Sequence, residues 1–138
     1  MTLPLAVASD DTISGRTEAW LAPGTGAARL FVVGERDTAM SMGGDLPVLA
    51  TPVLIGWVEL VASDLIRERS SGQRGSVGIR VDVRHTRSAA PGDRVKVAVT
   101  VHSMVFQMIR FTVAVTHEEA HATLLGGEHD RALVRRPV

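Results

Sequence analysis

The chain has 138 residues, 45% hydrophobic and 22% charged, which suits one globular domain with a buried core and argues against wholesale disorder. Fifteen basic and fifteen acidic residues cancel, so no bulk charge draws it to nucleic acid or to an anionic membrane. It has no cysteine, which excludes disulfides and thiolate metal sites.

Met1 to Ser9 is apolar but short, lacks a basic start and runs into Asp10 and Asp11. No window approaches the ~18 continuous apolar residues of a membrane span, so a cytoplasmic protein is expected. Pro4, Gly15, Pro23, Gly24 and Gly26 break any period, and residues 1–28 read as an N-terminal extension ahead of a domain over 29–138. Arg29 to Val33, closed by Gly34, reads as a first strand. Met40 to Pro47, with Gly43, Gly44 and Asp45, reads as a loop.

The spacing of Leu54, Val58, Val61 and Leu65 predicts a helix over 51–69. Thr51 reads as its N-cap and Pro52 as its first helical position, where a missing N–H costs nothing. Arg67 and Arg69 suit the negative end of the helix dipole, and Ser70, Ser71 and Gly72 end it. The period then changes to two. Val77, Ile79, Val81 and Val83 alternate with Gly78, Arg80, Asp82 and Arg84; Val95, Val97, Val99 and Val101 follow the Pro91-Gly92-Asp93 turn. Phe111, Val113 and Val115 mark a further strand, Glu118 and Glu119 a turn, and residues 120–134 a last strand. One helix followed by an antiparallel meander is an α+β arrangement, and the order is that of a hot-dog fold: one long helix wrapped by a curved antiparallel sheet.

Glu59 stands out as the one charged residue between Pro52 and Ala62, and its helical neighbours Ile55 and Ala62 place it beside the buried stripe. A carboxylate there either finds a partner, carries a raised pKa or reaches solvent. Thr51 lies eight residues earlier, slightly over two turns at ~3.6 residues each, and so on the same side of the helix. His85 closes the first long strand. A lone strand histidine is most simply a surface or satisfied core residue; beside a carboxylate and a hydroxyl it is equipment for acyl transfer.

At these positions the sequence resembles the fluoroacetyl-CoA thioesterase family, from about Phe31 to Val134. The likeness is carried by Ala50-Thr51, Gly56 and Glu59 on the helix, and by Gly78 and His85-Thr86 on the following strand, with eight residues from Thr to Glu and 26 from Glu to His. It implies a catalytic set of Thr51, Glu59 and His85, with the Gly78 amide on the thioester carbonyl. The segment Glu128-His129-Asp130-Arg131-Ala132 looks like the family's closing strand and implies Arg131 near the substrate; Leu46, in the loop before the helix, joins the substrate-binding set. The resemblance also implies a homodimer acting on an acyl-CoA, with no cofactor beyond that substrate. No metal site is expected, because His102, His117, His121 and His129 sit on separate strand segments without ligand-like clustering, apart from His117 and His121 across a turn. Two departures set fluoroacetyl specificity aside: the loop from Met42 to Pro47 lacks the family's aromatic residues, and Pro52 replaces a Gly. Rival expectations are a hydratase or dehydratase on the same fold, and a non-catalytic acyl-CoA sensor. Arg80, Arg84, Arg87, Arg94 and Lys96 form either an exposed sheet face or a contact for CoA phosphates.

Overall fold

The computed structural model describes residues 19–136. Strand β1 (Gly26–Val32) leads through two short 3-10 turns into helix α1 (Thr51–Arg69). Four strands follow: β2 (Arg74–His85), β3 (Arg94–Val105), β4 (Met108–His117) and β5 (Thr123–Arg135). All pairings are antiparallel, in the order β1-β3-β4-β5-β2. The strands joined by the helix therefore occupy opposite edges, and α1 crosses one face of the sheet between them.

The expected helix and sheet are present. Leu54, Val58, Val61, Ala62, Leu65 and Ile66 of α1 are buried against Val95, Val97, Val99 and Val101 of β3 and Ile109, Phe111, Val113 and Val115 of β4. Each such large aliphatic side chain contributes about 1.5–3 kcal/mol on leaving water. On the β1 flank, Phe31 and Trp57 stack at 4.5 Å, and the Arg29 guanidinium lies 4.9 Å above the Phe31 ring. Gly72 ends the helix at φ +79° and returns its N–H to the Arg67 carbonyl at 2.7 Å.

Three local features differ from the sequence pattern. The first strand starts at Gly26, and Leu21 ahead of it is fully buried; residues 1–18 of the expected extension lie outside the described residues. The N-cap is Ala50, at φ −75° and ψ 138°, because the Thr51 hydroxyl is engaged with another strand. The alternation of β2 is broken by a β-bulge between Gly78 and Arg80. Gly78 and His85 are seven residues apart and would point to opposite faces of a regular strand; the extra residue, Ile79, puts both on the helix side.

The opposite face of the sheet carries an ionic network. Arg80 pairs with Asp82 at 3.0 Å, Glu128 at 3.1 Å and Asp130 at 3.4 Å. Arg110 holds Asp130 with two parallel bonds of 2.9 and 3.0 Å. These bonds from Arg110, outweighing partial desolvation, hold the Asp130 carboxyl below the usual carboxylate range. A lowered folded pKa gives stability that is complete above the unfolded value, near ~4, and is lost as pH falls through the folded one. Asp130→Asn is therefore expected to flatten the acid limb of a melting-temperature profile below about pH 4; an unchanged slope would deny that this pair contributes. Among the described residues no helix is long and apolar enough to cross a membrane.

Candidate active site

The site residues fall into two groups along the contact of α1 with β2. At the helix start, the hydroxyl of Thr51 and Nδ1 of His85 are joined by a 2.7 Å hydrogen bond. The chain is brought to that point by its backbone: Ala50 donates to the Asp37 carbonyl and Leu49 to the Ala89 carbonyl, both at 2.8 Å. The far ring nitrogen of His85, Nε2, is buried and has no hydrogen-bond partner among the described residues. A pocket of about 360 Å³ opens here, lined by Ala39, Val48, Leu49, Ala50, Thr51, His85, Thr86, Arg87 and Ser88.

Two turns along the helix, Glu59 faces the bulge in β2. Its Oε2 lies 3.5 Å from Nη1 of Arg131, and 42% of its side chain remains exposed. Gly78 sits directly beneath: a Cβ there would collide with Glu59 Oε2 and lie 3.2 Å from His129 Cε1 and 3.3 Å from Arg131 Nη1. Glycine is required by this close approach. Glu59 thus has a partner and reaches solvent as well.

Arg131 is almost wholly buried and held on three sides. Its Nε donates to Ser76 Oγ at 2.7 Å, its Nη2 to the Ser76 carbonyl at 3.2 Å, and its Nη1 approaches His129 Nε2 at 3.1 Å. Desolvation lowers the pKa of its guanidinium, with the Glu59 carboxylate opposing.

Glu59 and Arg131 thus meet Gly78, and Thr51 meets His85, but no hydrogen bond or ion pair joins the two groups. Thr51 and Glu59 are separated by about 12 Å of helix rise, and Gly78 and His85 by roughly 23 Å of strand. Leu46 lies outside both groups, with 61% of its surface exposed; its carbonyl accepts from Met40 N at 2.9 Å. Arg80 is committed to the ionic network on the other face. Ser76 and His129 were not singled out by the sequence. The available signal was strand periodicity: His129 and Arg131 are two apart and so share a face. Among the described residues no group of three or more His, Asp or Glu side chains is placed to hold a metal ion.

A model of the fluoroacetyl-CoA-specific thioesterase family matches residues 33–137. No curated protein gives a significant match. Among solved structures, the fluoroacetyl-CoA thioesterase FlK superposes with a TM-score of 0.76 at 21% identity, over 83% of this chain and 88% of that one; a variant of that enzyme was solved with fluoroacetate and CoA. A thioesterase-superfamily protein of Thermus thermophilus gives 0.75 at 23% identity, over 83% and 85% of the two chains. A hot-dog-like protein from Thermanaerovibrio acidaminovorans gives 0.76 at 20% identity, over 85% and 86%. The fold is a hot-dog fold.

Proposed function

The chain belongs to the fluoroacetyl-CoA-specific thioesterase family, and from that premise we propose that it hydrolyses the thioester of a small acyl-CoA to a carboxylate and free coenzyme A. The observation that carries this is the 2.7 Å bond between Thr51 Oγ1 and His85 Nδ1, with Nε2 behind it buried and without a hydrogen-bond partner among the described residues. When the Thr51 hydroxyl donates to Nδ1, the ring proton sits on Nε2. An imidazole so fixed is a hydrogen-bond donor for a departing thiolate.

Glu59 supplies the other half. Its carboxylate takes a proton from water as the water oxygen bonds to the carbonyl carbon, and the Gly78 N–H bonds the developing oxyanion. The C–S bond then breaks, its electron pair leaves with sulfur, the His85 Nε2–H bonds the departing thiolate, and that sulfur takes up the proton held by Glu59. The acid product ionises to solvent, and Glu59 and His85 are left as they began. The same groups serve a route in which Glu59 attacks directly and water cleaves the acyl-Glu59 anhydride.

Because one chain keeps Glu59 apart from His85, the proposed site is completed by a second copy. β2 lies at an edge of the sheet and exposes Ile79 and Val81, about two-fifths of each. An edge of that kind is suited to pairing. With Ile79 as the extra residue, antiparallel pairing of two β2 strands about a two-fold axis at Asp82 sets Gly78 opposite the partner's His85, both on the helix side. Glu59 of one subunit then shares a site with the partner's Thr51 and the partner's His85. A soluble acyl-CoA substrate agrees with the cytoplasmic location expected from the sequence.

The test is free-thiol release from short, branched and aromatic acyl-CoAs. His85→Ala is expected to lower kcat by about 10²–10³-fold, the usual contribution of one positioned donor to a developing negative charge. Thr51→Ser should keep most of the activity and Thr51→Ala lose about tenfold or more, since only the former retains the hydroxyl. No turnover on any ester, with CoA esters still bound, would replace the hydrolase by a non-catalytic acyl-CoA-binding domain.

A further inference from the structure

His129 is fully buried on the helix face of β5, in register with Phe111 of β4 and Val81 of β2. Its two ring nitrogens have fixed roles. Nδ1 lies 2.9 Å from the Arg80 carbonyl, which only accepts, so Nδ1 carries the proton and donates. Nε2 lies 3.1 Å from Nη1 of Arg131, which only donates, so Nε2 is the unprotonated acceptor. Arg131 in turn bonds Ser76 through Nε and Nη2. Ser76 and Arg80 stand on either side of the bulge that turns Gly78 toward Glu59. The second N–H of Arg131 Nη1 is left for Glu59 Oε2.

We infer that His129 is a positioning residue: through its Nδ1–H on Arg80 and its Nε2 lone pair on Arg131 it staples the β2 bulge from both sides and aims the Arg131 guanidinium at Glu59. This rests on the thioesterase reading only for its effect on rate; the staple itself is a statement about hydrogen bonds. A doubly protonated ring would lose the Nε2 lone pair and face the Arg131 cation. Burial, reinforced by the Arg131 charge and opposed by the bond to the Arg80 carbonyl, lowers the His129 pKa and keeps the ring neutral. The consequence lies at Glu59. Its side chain is 42% exposed and ends in free rotors, so a displaced guanidinium would leave the carboxylate off the Gly78 amide.

Two substitutions separate the two bonds. In His129→Gln the side-chain carbonyl reaches the place of Nε2 and accepts from Arg131; in His129→Asn the amide N–H reaches the place of Nδ1 and donates to Arg80. His129→Gln is expected to stay within about threefold of wild-type kcat. His129→Asn should fall about ten- to a hundredfold in kcat, with KM changed less than about twofold and a melting temperature equal to that of the Gln variant. Equal losses in both variants, in step with their melting temperatures, would make His129 a packing residue and overturn the inference. Nitrogen-15 spectra of the imidazole provide the readout that needs no turnover. They are expected to show Nδ1 protonated and Nε2 bare, and the Glu59 carboxylate carbon should shift in His129→Asn but not in His129→Gln. A protonated Nε2 would overturn the inference even in an active enzyme. An inactive wild type with the expected spectra would overturn the thioesterase reading and leave the staple standing.

Discussion

Glu59→Gln is expected to lower kcat for thioester hydrolysis by about 10³-fold or more while leaving KM within a few-fold. The substitution keeps the shape of the side chain and removes its charge, so it can neither take a proton from water nor attack a carbonyl. Folding should suffer little. Arg131 keeps its bonds to Ser76 and His129, and an ion pair at 3.5 Å to a carboxylate 42% exposed is discounted by solvent to about 1 kcal/mol. A large loss of rate with a small loss of stability is the signature of a reacting group. Steady-state kinetics beside a thermal melt read both, and full activity in Glu59→Gln would remove this residue from the chemistry.

Gly78→Ala is expected to cost both rate and stability. The new methyl would collide with Glu59 Oε2 and crowd His129 Cε1 and Arg131 Nη1, at 3.2 and 3.3 Å. Glu59 is the mobile member of the three and should yield first, leaving its position over the β2 backbone. A displacement of about 1 Å in a reacting group costs on the order of 10²-fold in rate. Crowding against the buried His129 and Arg131 should add about 1–3 kcal/mol of destabilisation. A denaturant midpoint and kcat measured on the same preparation check the pair of effects; an alanine variant with wild-type kcat would show that Glu59 works from elsewhere.

Much of the architecture was legible because it rests on local periodicity. The apolar repeat and flanking Pro52 and Gly72 bounded α1 to the residue, and alternation located the long strands. Glu59 was conspicuous because a charge beside an apolar stripe must be satisfied by something. Its partner was not legible, since Arg131 is brought to it only by the register of β5 against β2. The bulge was hidden for a related reason. Val77, Ile79, Val81 and Val83 alternate without a break in the sequence, and the extra residue appears only when the opposite strand is counted. That single residue decides whether Gly78 and His85 share a face. Capping misled because Thr51 is a good N-cap by type, yet its hydroxyl bonds His85, 34 residues away. Leu46 could not be judged from sequence either, because the direction of a loop side chain has no periodicity behind it.

The most direct test is subunit complementation. Glu59→Gln and His85→Ala, each inactive alone, are mixed one to one under conditions that exchange subunits, and thiol release is measured. If each site takes Glu59 from one subunit and Thr51 and His85 from the other, half of the dimers are hybrids, each with one intact site. About a quarter of wild-type activity then returns. If no activity returns although hybrids form, the catalytic groups do not meet across two copies of the chain, and the proposed site is wrong.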